Sequence, residues 1–448
     1  MTDTAPLWGT QTQLAVENFP ISGERLHPAF IRALGAVKAA AAESNLACSA
    51  LPASVAKAIA AAAGAIAEGR YADQFPVDVF QTGSGTSTNM NANEVIAALA
   101  SQALGQAVHP NDHVNASQSS NDVIPTTAHV AAAVMLDQSL LPALADLRAA
   151  IQTRVDALGN TIKTGRTHLM DAMPISLGQE LSGWAQQVAS AEARLGAVQL
   201  RLHRLAVGGT AVGTGLNAPP TYAEGVCQAL RQRYRLDFGV AQNHFEALSS
   251  LDTLAELSGQ LKVLAGSLMK ISNDLRWMNS GPLAGLAEIA LPALQAGSSI
   301  MPGKVNPVIP EAVCMVCARV IGNDAAVTIA AQSGNFQLNV MWPVAIQSVL
   351  NSLDLLSAAS RQLGAQAIAR FTVNQARLDD ALRRNPILVT ALNQRIGYEA
   401  GSRIAKRAYA EGRPVLDVAE EDTELSRDEL ARLLDPAGLI GPSGKAAD

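Results

Sequence analysis

The chain has 448 residues, with 33 Lys and Arg against 39 Asp and Glu, a formal charge of -6. That balance gives no general basic field for nucleic acid, and any anionic ligand must be held by local positive groups. Hydrophobic residues make up 48% but aromatics only 4%, so the apolar share is mostly Ala, Leu, Val and Ile, which favours closely packed helices and a mainly α protein.

The N-terminus, Met-Thr-Asp-Thr-Ala-Pro, shows no basic segment followed by an apolar one, so no secretory signal is read there. The Ala-rich run Ala56 to Ala67 is too short and too weakly apolar to span a bilayer. A cytoplasmic protein with no membrane association is expected. Residues 1–118 read as an N-terminal domain of short helices and polar loops. The clearest loops are Gln81 to Asn93 (QTGSGTSTNMNAN) and His109 to Asn121 (HPNDHVNASQSSN).

Residues 119–375 read as a central domain of long helices. The first begins near Ser120-Asn121-Asp122 and runs toward Ala150. Ser176 to Leu205 follows Pro174, then Phe245 to Trp277, then a helix from Pro307 toward Gln332, and Trp342 to Gln362. Five such helices carry more apolar face than one monomer easily covers, so the pattern predicts a bundle completed by other subunits. Residues 376–448 are shorter in pattern and more charged, and read as a small helical C-terminal domain. Cys48, Cys227, Cys314 and Cys317 are too few for a disulfide scaffold. Cys314 and Cys317 lack a second pair or His partner, and read as two buried thiols one turn apart.

Four polar segments interrupt this pattern. Thr82-Gly83-Ser84-Gly85-Thr86 is rich in Gly and hydroxyls but lacks the Gly-Lys-Ser/Thr of a phosphate loop, so carboxylate binding by Ser84, Thr86 and backbone N–H groups fits it better than phosphate cradling. Ser119-Ser120-Asn121-Asp122 stands where a helix N-cap belongs, and a helix N-terminus also receives anions. His109-Pro110-Asn111-Asp112-His113 invites a metal reading, but Pro110 and Asn111 argue against a regular helix with both His on one face. Gly165-Arg166-Thr167-His168-Leu169-Met170-Asp171-Ala172 is the strongest acid–base candidate, a histidine in a polar loop ahead of a helix taken to start at Pro174.

The fourth, Gly297-Ser298-Ser299-Ile300-Met301-Pro302-Gly303-Lys304-Val305-Asn306-Pro307, is the most informative. Gly297 and Gly303 permit backbone that a Cβ would obstruct, and Pro302 and Pro307 limit φ. Ser298 and Ser299 offer hydroxyls, Lys304 a point charge, Asn306 a donor and an acceptor. Such a set can grip a carboxylate and stabilise charge developing on it. Taken alone, it could also be a plain connector between two helices.

The Pro-Gly-Lys-Val-Asn-Pro run resembles the signature loop of the fumarase/aspartase superfamily, in the form carried by class II fumarases; aspartases usually have Ala at the position of Gly303. The resemblance extends from Leu7-Trp8-Gly9 to the C-terminal tail. It implies a homotetramer built on a multi-helix core, with active sites that bring these segments together from three subunits. It implies catalytic roles for His168, Ser298 and Glu311, with Glu311 orienting His168. It implies substrate contacts from Ser84, Gly85, Thr86, Ser119, Ser120, Asn121, Thr167, Ser299, Lys304, Val305 and Asn306, and a secondary dicarboxylate site at His109, Pro110, Asn111 and Asp112. The implied reaction is reversible anti addition of water to fumarate, giving (S)-malate in the tricarboxylic acid cycle, with no metal and no cofactor. Met170 and Leu251 depart from the common pattern, where Gln and His are frequent, and neither bears assigned chemistry. Two alternatives remain. One is an aspartate ammonia-lyase, disfavoured by His168, Gly303 and Ser119-Ser120. The other is a catalytically silent helical scaffold, disfavoured because all four segments keep their polar residues.

Overall fold

The computed structural model describes residues 6–295, 297 and 300–441. The chain forms α1 (Thr10–Asn18), α2 (Pro28–Ala47), α3 (Ala53–Ala67), α4 (Thr86–Leu104), α5 (Ser120–Met135) and α6 (Leu141–Leu158), then the strands β1 (Ile162–Thr167) and β2 (Met170–Ser176). α7 (Leu177–Leu202), β3 (Arg204–Leu205), α8 (Tyr222–Tyr234), β4 (Gly239–Val240), α9 (His244–Ser249), α10 (Asp252–Met278) and β5 (Ile289–Ala290) follow. After these come α11 (Val308–Ala331), α12 (Trp342–Gln362), β6 (Thr372–Val373) and five shorter helices, α13 (Gln375–Arg384), α14 (Asn393–Ile396), α15 (Tyr398–Glu411), α16 (Val415–Asp422) and α17 (Arg427–Leu433). The mainly α reading holds; the described strands pair only two by two.

The chain divides into two compact units. The first takes the described residues up to 143, 191–266 and 316–358. At its centre α2 packs against α3, α5 and α8. Its buried face is mostly alanine (Ala33, Ala36, Ala39, Ala40, Ala41) with Leu34 and Val37, and small side chains of this kind let neighbouring backbones approach closely. α4 is polar in sequence yet buries Ser87, Thr88, Asn89, Asn91 and Asn93. The second unit takes 144–190, 267–315 and the described residues from 359 on. It holds the antiparallel β1–β2 hairpin, the β5–β6 pair, and a separate apolar cluster in the C-terminal helices that includes Leu392, Ile404, Val418 and Leu430.

Several sequence expectations need correction. The predicted loop 81–93 ends at Gly85, because the Thr and Asn side chains beyond it find partners inside the fold: Asn91 Nδ2 donates to Gln74 O (3.0 Å), and Gln81 Oε1 accepts from Thr88 N and Oγ1. The predicted loop 109–121 contains a π-helical turn, Pro110–Val114, and its last two residues already belong to α5. Pro174 does not start a helix but sits in β2 opposite Thr164, and α7 ends at Leu202. The helix predicted over Phe245–Trp277 is broken at Ser250, where the backbone is extended, into α9 and α10. The first long helix continues past Ala150 to Leu158 through a π-helical turn at Leu136–Leu140. Of the paired thiols, Cys317 is buried and Cys314 only partly so.

Candidate active site

In the first unit, Ser84 is buried with φ 64°, in the left-handed region that L residues rarely adopt. Its N–H donates to Val340 O (2.9 Å), and its Oγ lies 3.1 Å from Thr86 Oγ1. The turn therefore aligns two hydroxyls at the start of α4, with Gly85 at the cap position. Strain of this kind persists only when surrounding contacts over-determine it, and it gathers where function requires a fixed geometry.

The Ser119 turn is built more heavily. Ser119 caps α5: its Oγ accepts from Asn121 N (3.2 Å), and Asp122 Oδ1 accepts from Ser119 N (2.9 Å). The other Asp122 oxygen accepts from Gly208 N and Thr210 N, each at 3.0 Å, while Asn121 Nδ2 donates to Ala211 O (2.8 Å). Asp122 thus ties the Ser119–Asn121 turn to the segment 208–211. Burial pushes its carboxyl up, against the three backbone N–H groups and Lys38, which hold it down.

Lys38 of α2 is fully buried beneath the same turn. Its ammonium donates to Asn115 Oδ1 (3.0 Å) and Gln118 Oε1 (2.9 Å). Asn115 Oδ1 also accepts from Asn89 Nδ2 (3.2 Å), which donates in addition to Ser120 Oγ (3.0 Å). Burial lowers Lys38 to about 7, with Asp122 opposing. Neither Lys38 nor the 208–211 segment was singled out from the sequence. The available signals were a lone lysine in an alanine-rich helix, where a buried charge demands partners, and the glycine-rich run Gly208-Gly209-Thr210-Ala211-Val212-Gly213.

His109, Pro110, Asn111 and Asp112 cluster at the π-helical turn. Asp112 N donates to His109 Nδ1 (3.0 Å), Asp112 Oδ2 lies 3.3 Å from the same nitrogen, and His109 N donates to His113 Nδ1 (2.9 Å). The turn therefore sets the His113 ring against the backbone of His109, while the His109 ring faces Asp112. Among the described residues, no group of three or more His, Cys, Asp or Glu could hold a metal ion.

In the second unit, Thr167, His168 and Leu169 are exposed at the tip of the β1–β2 hairpin. His168 (φ 57°) and Leu169 (φ 62°) are both left-handed, the geometry of a two-residue turn whose twist matches its strands. The signature loop turns back on itself. Asn306 Nδ2 donates to Gly297 O (2.7 Å), and a Cβ on Gly297 would stand 1.8 Å from Lys304 O, so no other residue fits there. Gly303 has φ 85°. Pro302 to Pro307 border a cavity of about 890 Å³ together with Glu311, Trp277, Asn279 and Ala287. Lys304 and Val305 are exposed, and Glu311 lies in the first turn of α11. The two serines expected to act here, Ser298 and Ser299, lie outside the described residues. Within the one chain, the described His168 and Glu311 make no hydrogen bond to each other.

A helical fold carrying these polar turns matches a model described as "Lyase" over residues 1–322 and a second, "Fumarase C C-terminus", over 388–441. The protein named fumarate hydratase class II of Xylella fastidiosa (strain Temecula1) is 58% identical over 433 residues, 97% of this chain and 92% of its own. Fumarate hydratase class II 2 of Pseudomonas aeruginosa is 57% identical, over 97% and 94%. The crystal structure of recombinant class II fumarase from Schistosoma mansoni superposes with a TM-score of 0.94 at 34% identity, covering 98% of this chain and 96% of that one. Fold and site together define a lyase. Within the lyases, the chain belongs to the class II fumarase family.

Proposed function

We infer that this chain is an enzyme that interconverts fumarate and (S)-malate, a carbon–oxygen lyase acting on a small dicarboxylate in the tricarboxylic acid cycle. The observation that carries the reading is the folded-back signature loop, with Gly297 against Lys304 and Lys304 and Asn306 bordering the cavity beside Glu311.

Hydration of fumarate must stabilise negative charge on one carboxylate while a proton moves at the adjacent carbon. Lys304 and Asn306 would hold the carboxylate whose charge grows, aided by Val305 and Ser299. Ser298 would exchange the proton at carbon; serine is a poor base in water, so its alkoxide needs N–H donors aimed at it. Ser84, Gly85, Thr86, Ser119, Ser120, Asn121 and Thr167 would position the dianion. His168, oriented by Glu311, would activate water on the opposite face, or protonate the departing hydroxide. The reading calls for no metal and no cofactor. His109, Pro110, Asn111 and Asp112 would form a secondary dicarboxylate site.

The same reading makes the chain a homotetramer in the cytoplasm, with sites shared by three subunits and no nucleic-acid or membrane partner. It also keeps the division into an N-terminal domain (1–118), a central bundle (119–375) and a C-terminal domain (376–448). Two helical stretches, 120–158 and 308–331, are long and apolar enough to cross a bilayer by length and composition. The first is mostly buried, as a core helix is. The second leaves Met315, Ile321 and Ile329 exposed in a single chain. An apolar face of that length fits burial against other copies of this chain.

Isotope exchange tests the assignment of roles. Ser298→Ala should end exchange of the malate C3 hydrogen with solvent and abolish turnover. His168→Asn should cut turnover by about 10²–10⁴-fold while leaving some exchange. Near-normal exchange in Ser298→Ala would remove Ser298 as the base.

A further inference from the structure

Beneath the hairpin that carries His168 lies a largely buried group of charges with no part in the proposed chemistry. Lys163, in β1, is almost fully buried between two carboxylates: its Nζ is 2.8 Å from Glu180 Oε2 and 2.7 Å from Glu288 Oε2. Arg166, one residue before the hairpin tip begins at Thr167, places Nη1 2.7 Å from the other oxygen of Glu288. Each oxygen of Glu288 therefore faces one cation, and Glu288 itself is only 2% exposed. Lys163 and Glu288 are buried while Arg166 and Glu180 are only partly so, and each buried charge faces an opposite one, the condition under which buried charge is tolerated. Asp171, across the tip, adds a long contact of 4.0 Å to Arg166 Nε.

The backbone around Glu288 is fixed just as firmly. Its N–H donates to Met278 O (2.8 Å) and its carbonyl accepts from Asn374 N (2.9 Å), while the next two residues form β5 against β6. Its neighbours Ala287, Ile289 and Ala290 line the 890 Å³ cavity together with Pro302 to Pro307 and Glu311. The hairpin has its own irregularity at the level of this ion group. The register shifts between Thr164 and Arg166, and a Cβ at Gly165 would meet Met173 O at 2.5 Å. Such a bulge re-aims the residues that follow it. Beyond it, the left-handed His168 and Leu169 depend on the strands below for their direction.

We propose that Glu288 is a positioning residue for His168: through Arg166 and Lys163 it ties the histidine hairpin to the cavity wall that the signature loop shares. The proposal rests on the reading of His168 as the water-handling group. Glu288 touches no substrate; it sets where the tip points, and a displacement of about 1 Å at a reacting group can cost roughly 10²-fold in rate.

Glu288→Gln keeps the shape and one acceptor but removes the charge that the two cations share. In the assembled enzyme this variant should lose about 10- to 100-fold in kcat for malate dehydration, with KM within a few-fold of the parent and C3 hydrogen exchange retained. The decisive readout is a double-mutant cycle with His168→Asn. If Glu288 acts through His168, adding Glu288→Gln to His168→Asn lowers kcat no further. Losses that multiply, or an unchanged kcat in Glu288→Gln, overturn the proposal. Should Glu288→Gln fail to assemble, Arg166→Lys replaces it: the charge stays and the planar fork is lost. The same non-additive loss is then expected, and an additive loss or none overturns it. His168→Asn alone, with near-normal turnover, would instead overturn the reading of the site and leave the ion group as structure.

Discussion

Lys38 Nζ, fully buried in α2, donates to Asn115 Oδ1 at 3.0 Å, and through Asn115 and Asn89 it is linked to the hydroxyl of Ser120. A buried ammonium held by amide oxygens is held less firmly in its charged form than one facing a carboxylate, which is why burial brings Lys38 down from 10.5 to about 7.

That depression has a signed consequence. Below about pH 7 the lysine is protonated in both folded and unfolded chains, and the cost of burying its charge is constant. Between about 7 and 10.5 the unfolded chain still holds the proton that the native protein releases, so stability rises with pH across that window. Relative to Lys38→Met, the parent should gain up to about 1.4 kcal/mol per pH unit there. Denaturant midpoints at pH 7, 8 and 9, at fixed protein concentration, measure this. Parallel curves for the two proteins would show that Lys38 does not titrate in this range.

His129 acts at the acid end. Burial takes it down to about 4, against hydrogen bonds to the backbone at Arg204 and Leu202 that favour its charged form. Between about 6.5 and 4 the unfolded chain binds a proton that the native one excludes, so stability falls as pH falls through that window. His27 and His203 are lowered too, also chiefly by burial. His129→Gln should flatten the loss between pH 6 and 4.5, measured by thermal midpoints. An unchanged slope would place the acid sensitivity elsewhere.

Gly297→Ala tests the folded-back loop. The added Cβ would lie 1.8 Å from Lys304 O, so the turn cannot close as it stands. Because Met301 to Val305 are exposed, the global unfolding midpoint should change little while kcat falls by about 10²-fold or more. Full activity in this variant would mean that the loop need not adopt this turn to work.

Sharing of the site is tested by mixing. His168→Asn and Lys304→Ala should each be nearly inactive alone. If His168 and Lys304 of one site come from different subunits, assemblies re-formed from both variants contain some sites with neither substitution, and activity returns. A mixture that exchanges subunits yet stays inactive would confine the site to one chain.

The long helices were legible because their apolar period is strong: Trp342–Gln362 was read with the boundaries it has. The helix from Thr86 was not, since Ser, Thr and Asn compete with the backbone and read as loop. Only the buried partners of Asn89 and Asn91 turn that segment into a helix. The β1–β2 hairpin was missed for a related reason. Lys163, Arg166 and Pro174 break the alternation expected of a strand, and what holds the two cations is an ion group formed with Glu288, 122 residues from Arg166. The polar segments themselves were found, because Gly, Ser, Lys and Asn between apolar helices stand out in sequence. The groups beneath them, Lys38 and Glu288, are single charges whose partners appear only when the chain is folded.

The most direct measurement gives the purified chain (S)-malate, and separately aspartate, and follows absorbance of the unsaturated product. Fumarate should form readily from (S)-malate and not from aspartate, and fumarate supplied alone should be hydrated to (S)-malate with the reverse spectral change. Release of ammonia from aspartate at a comparable or higher rate, or no reaction with either compound in a correctly assembled protein, would contradict the assignment.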